Sequence, residues 1–242
     1  MEMEKYKALI CPLFFVLVCA TSSGQGSFDS SMQDAVSVYN HVAGINSHLY
    51  NGTAYTDYDH RIKGDPFFAS TCFADGSIVY DGIFYAHVQM FYDLLHDDVV
   101  IKNYNGLPLV LVKDKISSFN FAGSRFVRLV ADSAEVGGKI NGFYEVLFDG
   151  NIKLFAKRKK EVIEKINLQF SEIYFTQSNA YFVLNNGVFY PVSDKRSVLY
   201  AMKDKRSQVK KFLHDNKIKF KKNTEAELVR ASTYYDGLTN SK

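Results

Sequence analysis

Tryptophan is absent from this sequence and cysteine nearly so: 242 residues hold three Cys and four Pro. Two of the cysteines, Cys11 and Cys19, lie in a stretch expected to be removed. The remaining chain keeps only Cys72, which excludes an internal disulfide. A lone Cys in an exported chain is expected as a small buried hydrophobe. Beyond the first 24 residues no apolar run is long enough for a transmembrane helix, so no span is expected. The net charge of +3 is too small to point to nucleic acid. No G-x-S-x-G, Walker or H-E-x-x-H pattern occurs.

What is present begins with a targeting segment. Lys5 and Lys7 precede the apolar stretch Ala8–Ala20, and the small residues Thr21, Ser22, Ser23 and Gly24 follow. That is the layout of a secretory signal peptide over residues 1–24. Cleavage after Gly24 leaves Gln25 first, with cleavage after Ala20 as the rival. A lipid anchor on Cys19 is the other reading, against which bulky Val18 stands where a small residue is usual. Export implies a periplasmic or extracellular location. Removing the leader leaves 242 − 24 = 218 residues, expected as one β-rich domain over 25–242.

Aromatic content is high, with 16 Tyr and 20 Phe, which suits pleated surfaces. Eight of the 15 glycines follow Asn or Asp, a pair that tolerates the positive φ of two-residue hairpin turns. Asp81-Gly82 stands between apolar runs, and Gly82 and Gly150 are expected at positive φ. The pattern predicts about eleven strands between Ser77 and Pro191, with Glu172–Phe175 and Tyr181–Leu184 as separate strands. Ala131–Asn141 is expected as a mobile loop. Ser30–His48 carries a helical apolar stripe. Asp194–Asn216 carries a second, and Thr224 to Glu227 matches a capping box that opens a third helix. The fold class expected is therefore mainly β with some α: a curved antiparallel meander sheet or partial barrel. Its β core covers 70–192, one helix precedes it, and two helices over 194–238 follow and bury their stripes against the sheet.

Leu49-Tyr50-Asn51-Gly52, Gly142 to Leu147 and the tail Lys210 to Tyr235 resemble secreted proteins of Bacteroidota with no assigned activity. That resemblance implies an envelope location and carries over no site. The meander with helices is also similar in architecture to the LolA/LolB-like half-barrels that carry lipoproteins, a likeness of fold alone.

Ser207-Gln208-Val209-Lys210 fits S-x-x-K, yet the partner motifs S-D-N and K-T-G are missing. The solvated helix face is the better reading. Asp57, Asp59, His60 and His96-Asp97-Asp98 have metal-binding chemistry without metal-binding spacing, so no metal or cofactor is expected. His87 lies on an alternating strand. Asp194–Lys222 holds eleven Lys or Arg against three Asp, 11 − 3 = +8. Lys203, Lys210 and Lys211 would carry attraction to an anionic membrane surface or acidic polymer; alternatively these lysines protect a sheet edge. Period-2 alternation puts Phe84, Val88 and Met90 on one strand face and Tyr144, Val146 and Phe148 on another. If both faces line the concavity, these six form an apolar ligand site. The function expected is a non-catalytic envelope protein that binds an apolar ligand or a protein partner. The alternative is a hydrolase with dispersed catalytic residues.

Overall fold

The computed structural model describes residues 48–133, 138–166, 171–221 and 223–240. The expected signal peptide and the helix at Ser30–His48 fall outside this range but for the last residue, His48, which opens a 3-10 turn. Eleven strands form one antiparallel sheet, which is not closed. They are β1 (Gly52–Ala54), β2 (Ala74–Tyr80), β3 (Ile83–Asp93), β4 (Asp98–Lys102), β5 (Pro108–Leu111), β6 (Ile116–Phe121), β7 (Ser124–Ser133), β8 (Gly138–Asp149), β9 (Lys153–Ile166), β10 (Ser171–Asn185) and β11 (Val188–Val192). Their order across the sheet is β1-β5-β4-β3-β2-β6-β7-β8-β9-β10-β11.

From β6 onward this is the expected meander. Before it the chain departs, because β6 pairs with the free edge of β2 rather than with β5. Residues 112–115, three of them in a 3-10 turn, join β5 to β6. Four strand spacings of about 4.8 Å would separate these strands in a flat sheet, more than so short a compact link can cover. The N-terminal strands must therefore curl. The Tyr80 hydroxyl on β2 accordingly donates to the Asn51 carbonyl before β1, 3.0 Å away.

The hairpin turns follow their chemistry in part. Asp81 and Gly82 have φ of 52° and 78°, and Asn186 and Gly187 have 50° and 78°, as two-residue turns with matching twist require. Ala122-Gly123 makes a third such turn, with φ of 51° and 79°, without Asn or Asp. Gly150 is not at positive φ; it is small because Asp236 and the Phe148 ring crowd the space where a Cβ would stand. Gly76 lies inside β2, beneath the Met90 sulfur.

Three expectations about elements need correction. Ala131–Asn141 is not a loop at its ends: Ala131 pairs with Ile140 and Ser133 with Gly138, extending the β7–β8 hairpin. Glu172–Phe175 and Tyr181–Leu184 are one strand, β10, and the count is made up by the short β1. The helix expected over 194–216 is two helices, α1 (Lys195–Ala201) and α2 (Arg206–Asp215), separated by a 3-10 turn. Asn185 Nδ2 donates to the Ala201 carbonyl, and Lys205 N turns to Met202 O instead. The helix therefore breaks there. α3 spans Thr224–Asn240, but Thr224 donates to the Phe220 carbonyl rather than capping.

Leu199, Met202, Val209 and Leu213 are buried with Leu154, Val183 and Val192 of the sheet. Phe212 is only half-buried, its ring stacked 4.1 Å from Tyr234. Cys72 is exposed, contrary to the buried role expected.

Candidate functional site

The structure does not bring the six expected ligand residues together. On β3, Ala86 and His87 both stand opposite Ser77, because Gly76 pairs with Val88 and Ile78 with Tyr85. His87 takes a φ of 54° to make this bulge, and its Nδ1 lies 3.1 Å from Asp75. A bulge adds one residue and reverses the alternation beyond it. Val88 and Met90 therefore sit in the core beside Tyr85, and Phe84 is on the opposite face, outside that core. On β8, Val146 pairs with Phe155 but Phe148 with Leu154, so Leu147 is the extra residue. Tyr144 and Val146 share one cluster, while Phe148 joins the helix-covered one.

Tyr144 and Val146 belong to an apolar face spread over five strands. Val127 and Leu129 of β7, Phe155 of β9, Phe182 and Leu184 of β10 and Phe189 of β11 pack beside them. Their strand neighbours Phe126, Leu154, Val183 and Tyr190 point the other way, into the two larger clusters. That opposite side is where α1, α2 and α3 pack. Among the described residues, every side chain of the Tyr144 cluster comes from the sheet itself.

The densest polar grouping lies where the sheet forks. β8 and β9 pair only up to Glu145 and Ala156. Beyond this point β8 pairs with β7 alone and β9 with β10 alone. The β3–β4 turn enters the fork. Asp97 accepts from Phe143 N at 3.2 Å and lies 2.8 Å from Lys157 Nζ, which also donates to Phe143 O. Burial lowers the Lys157 pKa, and the Asp97 charge opposes this. Leu94 O accepts from Lys160 N, and Lys160 Nζ reaches Asp65 at 2.9 Å. On the far edge of β10, Lys63 exchanges backbone bonds with Ile173 and Phe175.

At the end of β3, where this turn begins, Asp93 is fully buried. Its carboxylate accepts from Tyr58 at 2.5 Å, Tyr55 at 3.2 Å and Leu95 N at 2.8 Å. Burial, then the Asp93 hydrogen bond, pushes the Tyr58 hydroxyl far above its ordinary pKa. That hydroxyl is 2.6 Å from His96 Nδ1. With its one proton given to Asp93, it accepts from Nδ1–H, and in a neutral imidazole the lone pair then lies on His96 Nε2. The imidazole is 61% exposed and stacks on Tyr58. No sequence motif announced this grouping, which joins residues 35 to 38 positions apart. Its one local signal was His96-Asp97-Asp98. Asp57, Asp59 and His60 do not join it as a cation site: no group of three or more His, Cys, Asp or Glu able to hold a metal occurs among the described residues.

A second network clamps α3 to the sheet. Arg158 is 8% exposed and binds Glu145 at 2.6 Å and Glu225 of α3 at 2.7 Å. Ser124 and Tyr181 donate to the two carboxylates. Ser207 and Lys210, of the S-x-x-K match, are exposed on α2. They line a groove of about 310 Å³ with Lys195, Lys211, His214 and Asp215.

Comparison of the chain with family models, curated proteins and solved structures finds no match. The fold and the two sites therefore carry the functional argument by themselves.

Proposed function

We propose that the chain is a non-catalytic exported envelope protein that holds an apolar ligand of acyl-chain type against the β7–β11 face opposite its helices. The observation that supports this reading is that face itself. Apolar side chains on five neighbouring strands meet there, and among the described residues no element outside the sheet contributes to the cluster. Ile140, Tyr144, Phe155 and Phe189 at its centre are only 1–8% exposed, so the face is an apolar interior, and an apolar interior backed by a sheet suits an aliphatic chain. The finer view of the fold, a sheet curved into a partial barrel, belongs to this proposal. So does the likeness to the LolA/LolB-like half-barrels and to Bacteroidota secreted proteins. Tyr144 and Val146 keep their ligand role in it. Val88 and Met90 are buried in another cluster, Phe148 packs in the helix-covered one and Phe84 lies on the face opposite Met90, so these four do not.

The test is lipid analysis of protein isolated from its native envelope without detergent, beside a Val146→Arg variant. Bound lipid is expected with the unaltered chain and absent from the variant. An unaltered chain that carries none overturns the reading.

A protein partner is the second reading, favoured by the β9–β10 arm. There Val162, Ile163 and Ile173 are exposed, and Ile166 at the tip is 75% exposed. The hydrolase alternative would rest on His96 Nε2 acting as a base. Esterase activity lost in His96→Ala at unchanged melting temperature would favour it.

A further inference from the structure

The acidic residues of this protein are spent unevenly. Lys or Arg side chains from Arg61 to Lys160 pair repeatedly with carboxylates, and Arg230 on α3 does so too. Between Lys195 and Lys221 there are ten Lys or Arg: 195, 196, 203, 205, 206, 210, 211, 217, 219 and 221. None of these ten is within ion-pair distance of a carboxylate among the described residues. The nearby acids each have another hydrogen-bond or ring partner, although the Arg196 charge still acts on Asp194. Asp194 accepts from Ser197 N, Asp204 from the Tyr235 hydroxyl, and Asp215 lies against His214.

Tertiary packing concentrates this excess. α1 and α2 turn Val198, Leu199, Val209 and Leu213 inward. The Lys and Arg positions are thereby left outward. Across the 3-10 turn Lys195 of α1 joins Lys210 and Lys211 of α2 in the 310 Å³ groove, with the Ser207 hydroxyl and His214 beside them. Three ammonium groups and a hydroxyl in one concavity outweigh the single carboxylate there, Asp215, and fit a phosphate oxyanion. Arg196 and Tyr200 are one helical turn apart on α1 and line a separate pocket with Tyr181, Phe182 and Val192. Tyr200 is 47% exposed, its ring edge-on to Tyr190. A tyrosine among cations is the composition that sits at the headgroup level of a bilayer.

We propose that the outer side of α1 and α2 docks on an anionic phospholipid surface, with one headgroup phosphate in the groove formed by Lys195, Ser207, Lys210 and Lys211. Each additional Lys or Arg near such a surface adds attraction that falls off within a Debye length. The role does not rest on the apolar face of β7–β11, although Phe182 of that face shares a pocket with Arg196 and Tyr200 of α1.

The test is co-sedimentation of the purified chain with vesicles of phosphatidylcholine alone or with one third phosphatidylglycerol. Binding is expected only to the anionic vesicles, and it weakens as salt is raised. The variant Lys195→Glu/Lys210→Glu/Lys211→Glu is expected to partition roughly 100-fold more weakly. The variant Lys139→Glu/Lys159→Glu/Lys165→Glu carries the same change in net charge and should lose less than about tenfold. Thermal melts establish that both are folded; if the first is not, Lys210→Gln/Lys211→Gln replaces it, with a loss of roughly 30-fold expected. No binding by the unaltered chain overturns the proposal, as does equal loss in both charge variants. Retention by inorganic polyphosphate without retention by vesicles also overturns it, in favour of a soluble polyanion.

Discussion

Asp97 and Lys157 stand 2.8 Å apart inside the fork between β8 and β9. Asp97 comes from the β3–β4 turn, where it holds a φ of 61°. Tyr92 donates to its other oxygen. This pair serves the Phe143 amide and carbonyl that a continuous β8–β9 ladder would have served. A sheet can open only where its exposed backbone groups find other partners, and here one carboxylate and one ammonium supply them.

Gly142 makes room for that arrangement. A Cβ at this position would overlap Asp97 Oδ2 and Lys157 Nζ, and φ is +117°. Gly142→Ala is expected to lower stability by about 2–4 kcal/mol, from backbone strain and displacement of a half-buried ion pair together. Urea denaturation measures it. A loss below about 0.5 kcal/mol, the range of an ordinary surface substitution, would show that the fork does not depend on this contact.

Alkaline stability should report the Asp93 centre. Tyr58 and Tyr55 have hydroxyl pKa values raised by burial and by Asp93, and Tyr92 by burial and Asp97. A group whose folded pKa is raised favours the fold fully below its unfolded pKa, about 10 for tyrosine. Above that pH the unfolded chain loses the proton first, and the stabilisation fades. Melting temperature is thus expected to fall steeply above about pH 10. Tyr58→Phe should flatten that fall while lowering stability at neutral pH. An identical alkaline profile in the variant would separate Tyr58 from the transition.

Acid should loosen α3 first. Burial would raise the Glu225 pKa, but the Arg158 hydrogen bond and charge, with the Tyr181 hydroxyl, hold it below the ordinary value. The sign is opposite to that of tyrosine. This stabilisation is present above the unfolded pKa, about 4.3, and is lost as pH falls through the lower folded pKa. Hydrogen exchange should show α3 amides losing protection below about pH 4 before the β2–β3 core does. Glu225→Gln should remove that difference; a variant with the same pH dependence would place the acid-sensitive group elsewhere.

Sequence alone determined the local chemistry of this protein. Aromatic and β-branched runs punctuated by Asp81-Gly82 and Asn186-Gly187 specify antiparallel hairpins, because those turns need positive φ. The apolar spacing of Leu199, Val209 and Leu213 specifies helices that must find an apolar face. Tertiary structure decided three things. The bulges at His87 and Leu147 depend on cross-strand register, and each inverts the alternation that had united Phe84 with Met90 and Tyr144 with Phe148. The helix break at Met202 depends on Asn185, sixteen residues before the Ala201 carbonyl it captures. The Asp93 centre joins a turn to residues 35 or more positions earlier, and the Arg158 clamp joins β9 to a helix 67 positions later (225 − 158). Periodicity reads neighbours along the chain; these contacts exist only because an eleven-stranded sheet pairs its strands out of chain order and forks, bringing distant polar groups together.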